Sequence, residues 1–542
     1  MRTSLVAGSA LVALGAGVVL VAQERPDEDV YWQIRREGTS RSQIMETLHV
    51  LADVYGPRLT GSPNLEAAGR WAVGQMEQWG LVNGRLEPWE FGHPGWTNER
   101  LSAHIVSPVQ DHLVAEVLAW TPGTDGVVRA EAVPITLPER PTRDELAAHL
   151  EGLADRVRNG IVLVGPPEQV PVTINPAPLR LEDAAVRAEM NAPPPVALPA
   201  GRGRGGRGGG WGDGRGADTP PRPLTANERE EQLNAFLAEH GALARVSDAA
   251  RDHGQIRAFH NRTFDVTKAP PVVVVRNEDY GRIWRLMAGD RAVELELEIV
   301  NRVHPEGRTA YNAIAEIPGG DLADEVVMLG GHLDSWHAGT GATDNAIGCA
   351  VMMEVGRILT AIGVRPRRTI RVALWSGEEQ GLLGSQAYVR EHFGTAEQPE
   401  ADFASLAAYF NIDTGTGRAR GLTVFGPPEA ATVLREATAP LADLGLLGVN
   451  TTRSRQASST DAFAFAAAGL PGINTLQDPI EYRTYTWHTN LDTYERVIEE
   501  DVKRSAIVLA AAVYHLAMRD EGLPRFSPEQ MPAAPPARAE EN

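Results

Sequence analysis

Apolar and polar positions divide the chain into three textures. Between residues 41 and 82, Met45, Leu48, Leu51 and Ala52 fall on one face. Leu65, Ala68, Trp71, Ala72 and Trp79 then repeat at helical spacing. This predicts helices on either side of a turn-rich break, Gly56-Pro57-Arg58-Leu59-Thr60-Gly61-Ser62-Pro63. From about 125 to 305 the segments are short and β-like, at 127–135, 160–164, 271–275 and 293–300. The last alternates Val, Leu, Leu and Ile with Glu, as a half-exposed strand should. Residues 125–305 are therefore expected to form an inserted β-rich domain, with peptide before it (23–124) belonging to the main domain. Residues 191–223 interrupt the insert and include Gly201–Gly216, almost all Gly and Arg. With no apolar surface to bury, this reads as a flexible surface loop.

From 306 to 522 the pattern changes again. Strands at 325–330, 369–375, 406–412, 421–425 and 470–476 alternate with helices at 345–362, 428–444 and 496–518. Such alternation predicts an α/β domain, a mostly parallel, doubly wound sheet with helices on both faces. Ligands in such folds bind beyond the carboxyl ends of the strands. The Pro- and Ala-rich tail, 523–542, is expected to be disordered.

Composition adds a few exclusions. The 542 residues exceed one typical domain, and the formal net charge is -20. An acidic chain lacks the basic surface that nucleic-acid binding needs, so no nucleic-acid partner is expected despite the Gly-Arg run. Arg2 precedes an uncharged apolar run, Leu5 to Ala22, followed at once by polar sequence. Residues 1–22 read as an export signal cut after small Ala22, which would place the protein in the periplasm or outside the cell. An uncleaved membrane anchor is the alternative. Cys349 is the only cysteine, so a metal site would have to use His, Asp and Glu.

Those residue types gather where the strands end. One expected strand runs into His332-Leu333-Asp334, and a helix starts after Thr343-Asp344-Asn345. Another strand runs into Ser376-Gly377-Glu378-Glu379, a third into Asp413, and the last leads towards His488 and Asp492. Singly, each has an ordinary reading: Asp344 as a helix cap, a solvated Glu pair, a surface histidine. Together, at five strand ends, they describe one cleft. Its borderline nitrogen and hard oxygen donors suit zinc. Two histidines with three carboxylates can hold two ions if one carboxylate bridges, and of the adjacent Glu378 and Glu379 one could bind metal while the other acts as base. Asp334 is placed to orient His332, and Asp492 to orient His488. Ser458-Ser459-Thr460-Asp461, before an Ala-rich helix, reads as a cap.

Gly-Gly-His332-Leu-Asp334-Ser, Thr-Asp344-Asn, Ser-Gly-Glu378-Glu379-Gln-Gly, Asn411-Ile-Asp413 and His488-Thr-Asn-Leu-Asp492-Thr resemble, as a set, the metal motifs of the aminopeptidase and glutamate-carboxypeptidase family of di-zinc exopeptidases. Val54-Tyr-Gly-Pro-Arg58-Leu-Thr-Gly-Ser-Pro-Asn64 and Gly331-His-Leu-Asp-Ser-Trp336 are similar to its plasma glutamate carboxypeptidase branch. The resemblance spans about 40–520 and implies that the insert is a protease-associated domain, although the Gly-Arg loop departs from that pattern. It also implies two zinc ions, one on His332 and Asp413, the other on Glu379 and His488, with Asp344 bridging. Glu378 would be the general base for attack by a zinc-activated water on short peptides, and a homodimer would be the oligomer. A receptor or scaffold on the same fold would show gaps in the ligand set, and none is present. A glutaminyl cyclase-like acyltransferase would need neither the complete two-metal set nor the insert. Whether the amino or carboxyl end of a peptide is recognised stays open. Deleting Gly201–Gly216 is expected to leave the melting temperature and zinc content unchanged, since loop length costs only about 0.6 kcal/mol per doubling.

Overall fold

The computed structural model describes residues 27–192, 222–289 and 291–535. The expected export signal and Gly201–Gly216 lie outside them. Among the described residues, no helix is long and apolar enough to cross a membrane.

Two eight-stranded sheets organise the chain. The first runs, edge to edge, Val82–Glu90, Thr309–Ile317, Arg368–Trp375, Leu322–His332, Leu406–Asn411, Gly472–Gln477, Ala419–Phe425 and Val449–Thr452. Its four middle members, Arg368–Trp375 through Gly472–Gln477, are mutually parallel, so Trp375, His332, Asn411 and Gln477 finish on one side. Antiparallel pairs flank them: Thr309–Ile317 on Arg368–Trp375, and Ala419–Phe425 on Gly472–Gln477. The sheet is thus mixed α/β, with its parallel part where the chemistry gathers.

Strand periodicity explains the two covered faces. In Leu322–His332, Val327 and Leu329 face one apolar cluster while Val326 and Met328 face another. The first cluster takes helices Ile347–Ala361 and Glu499–Met518; the second takes Leu383–His392 and Ala462–Ala468. Residues 347–359 are buried without interruption, which suits a helix apolar on every side, packed beneath the sheet. Its two internal charges are neutralised locally, since Arg357 pairs with Glu354 at 2.7 Å and with Glu37 at 2.8 Å. Helix Pro63–Gln78 starts after the turn-rich break, with Ser62 as its cap and Pro63 in its first turn.

The second sheet begins at Gly95, well before residue 125. Strand Gly95–Ser107 pairs along its length with Glu294–His304, the strand that ends the insert. Polar Thr97, Asn98, Glu99 and Arg100 break the apolar alternation of the first of these, which hides it in the sequence. Ile161–Val164, Ala244–Asp248 and Val272–Val275 form a parallel group beside them, and helices Arg143–Glu151, Ala226–Glu239 and Asn277–Ala288 lie between strands in the chain. The insert is therefore α/β itself rather than purely β-rich. An aromatic seam joins it to the first sheet: Trp89, Trp96, Trp120 and Trp336 share one buried cluster.

The tail does not leave the molecule at 523. Leu523 and Phe526 are buried, and the Phe526 ring packs against Phe425 at 5.3 Å between ring centres. Two apolar anchors hold the start of the expected disordered tail, whose last residues, 536–542, lie outside the described ones.

Candidate active site

Close backbone packing sets the strand ends. A side chain at Gly330 would put its Cβ 2.0 Å from the carbonyl oxygen of Ala373, so the strand can lie there only as glycine. Past Trp375 the chain turns at Gly377, whose φ of +73° is in the left-handed region. That turn presents Glu378 and Glu379 beside His332, the last residue of its strand.

The structure brings all six predicted chemical groups together. Asp344 stands between the two imidazoles, Oδ1 at 3.2 Å from His332 Nε2 and Oδ2 at 3.2 Å from His488 Nε2. His332 Nε2 also lies 3.3 Å from Asp413, and His488 Nε2 lies 2.9 Å from Glu379. Each imidazole thus shares Asp344 and has one carboxylate of its own. Glu378 sits on the His332 side, 4.0 Å from Nε2. Asn345 secures the central loop by donating from Nδ2 to the carbonyl of Ile412 at 2.9 Å.

The two supporting aspartates do something other than expected. His332 Nδ1 lies 3.0 Å from the backbone carbonyl of Asp334, whereas the Asp334 carboxylate is 3.7 Å away. That carboxylate instead accepts from the backbone N–H groups of Glu378 and Glu379, at 3.3 and 3.2 Å, and from the Thr60 hydroxyl at 3.1 Å. Asp492 does not reach His488. It accepts from the N–H groups of Thr343 and Asp344, at 2.5 and 3.1 Å. Both aspartates therefore hold the loops that carry metal-type donors, and Asp334 meets the His332 imidazole mainly through its own backbone carbonyl. Ser458-Ser459-Thr460-Asp461 likewise departs from a simple cap: Asp461 makes no side-chain capping bond. Thr460 instead accepts from Asn411 Nδ2 at 3.0 Å, bracing the strand end that leads to Asp413.

Arg58 is the residue that sequence reasoning missed. Fully buried, it donates to the carbonyls of Leu333, Leu51, Thr340 and Gly341, at 2.7, 2.8, 2.9 and 2.9 Å. Leu333 lies between His332 and Asp334, and Gly341 just before Asp344, so one guanidinium ties two donor loops to each other. Its signals in the sequence were a cation between Gly-Pro and an apolar Leu59 and its place in the Val54–Asn64 resemblance, neither of which told what it would bind. Replacing Arg58 with Met would leave these carbonyls unpaired. A loss of at least about 3 kcal/mol is expected, since bonds to a charged group contribute about 1.5–3 kcal/mol each. Denaturant unfolding checks it, and an unchanged midpoint would contradict it.

The electrostatics call for a cation. Burial pushes Glu379 up to about 7 against the pull of His488, and burial raises Glu378 well above the carboxylate range. Burial opposes charge on His488, yet Glu379 and Asp344 prevail and lift it to about 9. Asp344 Oδ2 and Glu379 Oε1 are buried without a hydrogen-bond partner. Unpaired carboxylate oxygens facing imidazole nitrogens, with ligand atoms of His332, Asp344 and Glu379 within 4.8 Å of one another, are a donor set shaped for a divalent ion. A second group, His332, Glu378 and Asp413, meets the same limit.

Residues 312–513, which carry every one of these donors, match the model of peptidase family M28. This segment is an M28 metallopeptidase domain. Over 491 residues, 90% of this chain and 88% of the relative, it is 25% identical to carboxypeptidase Q of Homo sapiens. It is 39% identical to leupeptin-inactivating enzyme 1 of Streptomyces exfoliatus over 107 residues, 20% of this chain and 23% of that one. The solved structure of a peptidase M28 precursor from Shewanella amazonensis has the same fold, with a TM-score of 0.61 at 22% identity, covering 94% of this chain and 99% of that one. A zinc aminopeptidase from Bacillus subtilis aligns at a TM-score of 0.53 and 18% identity over 89% of this chain and 97% of its own. For this M28 site, zinc is the metal that both the donor set and the family indicate.

Proposed function

We propose that this metallo-exopeptidase uses two zinc ions to release terminal residues from dipeptides and short peptides. The observation that carries the reading is the position of Asp344, with one oxygen towards each imidazole. His332 and Asp413 would hold one ion, His488 and Glu379 the other, with Asp344 shared. Zinc bound there would acidify a water molecule and polarise the scissile carbonyl. Glu378, offset from the histidines and raised by burial, would accept the proton of the attacking water and return it to the departing amine. Asp334 fixes where that carboxylate starts, because it grips the Glu378 N–H.

Substrate length is argued from the insert. Its segment between Ala244–Asp248 and Val272–Val275 docks on the His488 loop: Ile256 N–H donates to Asn490 Oδ1 at 2.8 Å, and Asn490 N–H returns to the Ile256 carbonyl at 3.0 Å. Phe259 from the same segment stands 5.6 Å from the His488 ring, centre to centre. A wall this close to the donors favours chain ends over chain interiors. Incubation with unstructured casein, followed by mass spectrometry, should show free amino acids without early internal fragments. Early internal fragments without free amino acids would overturn the exopeptidase reading.

A further inference from the structure

The two imidazoles of the site are held in different ways. His332 ends a strand of the sheet, and its Nδ1 meets the backbone carbonyl of Asp334 at 3.0 Å. His488 lies in a loop with a φ of +62°, in the left-handed region that a residue with a Cβ seldom takes. Its Nδ1 is buried and meets no hydrogen-bond partner among the described residues. A metal-binding imidazole is usually aimed by a hydrogen bond at its second nitrogen. For His488 that task falls to packing. The Phe259 ring stands nearly perpendicular to it, at 80° and 5.6 Å between centres, while Trp487 and Trp336 lie at 4.2 and 6.3 Å.

Of these rings only Phe259 comes from the insert, and the insert also grips the His488 loop at both ends. Before His488, Ile480 N–H donates to the Leu179 carbonyl and Leu181 N–H to Asp478 Oδ1, each at 2.9 Å. After it, Ile256 pairs with Asn490. Between these grips, Arg257 Nη2 donates to the Trp487 carbonyl at 3.1 Å, and its guanidinium covers the Trp487 ring, 4.6 Å from the centre. That carbonyl belongs to the peptide that enters His488, so fixing it helps to hold the left-handed turn. Hydrogen bonds from the peptidase domain fall further off, from Thr343 to Thr486 at 2.8 Å and from Thr340 to Asp492 at 3.0 Å. We propose that Phe259 and Arg257 are positioning residues for His488, so that the insert aims this imidazole and governs metal binding on the His488 side, while the sheet alone holds the His332 side. This rests on the two-zinc reading and adds what retains the second ion.

Zinc affinity is measured without substrate, by titrating the metal-free full-length protein in competition with a chromophoric chelator. Phe259→Leu and Arg257→Met should each weaken one ion by about 10–100-fold, the usual value of a lost supporting contact around a metal, and leave the other within about threefold. Phe259→Tyr, which keeps the ring, should recover most of the affinity. Two backgrounds identify the side. With Asp413→Asn, where the His488 side stays intact, Phe259→Leu should keep its effect; with Glu379→Gln it should have none on the ion that remains. Equal weakening of both ions overturns the proposal, because a general loosening of the fold would do that. Unchanged affinities in both Phe259→Leu and Arg257→Met overturn it too. If metal-free Phe259→Leu melts well below wild type, Arg257→Met decides by the same two criteria. A wild type that takes up a single ion defeats the two-zinc reading. Phe259→Leu then still decides the role of the insert: unchanged affinity for that ion overturns it, and a loss of about 10–100-fold upholds it.

Discussion

Glu378→Gln should keep the fold and the zinc content while lowering kcat by about 10²–10⁴-fold, the usual value of a positioned general base. The amide has the same shape, and its backbone N–H still meets Asp334, so the loop stays where it is. It cannot take a proton. Glu379→Gln should differ in kind, because Glu379 lies 2.9 Å from His488 Nε2 and presents a buried, unpartnered oxygen. Its replacement should lower zinc content first and activity in consequence, with partial recovery at high zinc. Metal analysis alongside steady-state kinetics separates the two neighbours. Full turnover by Glu378→Gln, or loss of zinc from it, would reverse the assignment.

Much of this site could be read from the sequence, and the reason is topological. In the four parallel strands, the chain leaves the sheet each time on the same side, so residues just past each strand converge without knowledge of side-chain contacts. His332, Glu378 and Asp413 needed only the correct strand ends. The roles of Asp334 and Asp492 did not follow, because an i+2 or i+4 offset from a histidine says nothing about which backbone a carboxylate will meet. Asp492 grips Thr343 and Asp344, distant in sequence, and Arg58 reaches Leu333 and Gly341 across a gap nearly twice as long. Such contacts leave no periodic trace.

The same limit applies to the fold. Val326–Gly331 and Val372–Trp375 announce themselves because both faces are buried and the runs are apolar. Gly95–Ser107 does not, since one stretch of it is exposed and polar, and the boundary of the insert moved with it. The docking of the insert was the least legible of all, since Ile256 and Asn490 are ordinary loop residues in the sequence and only their pairing shows that the insert reaches the His488 loop.

Removing the metal should abolish activity and lower the melting temperature, on the order of 10 °C for zinc held at about 1,000 times its dissociation constant. The stability change follows from the charges at the centre. Asp344, Glu378, Glu379 and Asp413 surround two imidazoles, all but closed to water. Without a cation, this pocket can relieve its crowded charge only by taking up protons, as the raised Glu378 and Glu379 carboxyls show. Zinc should restore both activity and melting temperature, at about two ions per chain. Ligand substitutions should then distinguish a shared carboxylate from private ones. Asp413→Asn touches only the His332 side, and Glu379→Gln only the His488 side, so each should reduce the zinc content towards one. Asp344→Asn faces both imidazoles at 3.2 Å and should weaken both ions together. Equal stoichiometry in all three variants would mean that Asp344 is not shared, and a wild type holding a single ion after reconstitution would remove the two-metal centre altogether.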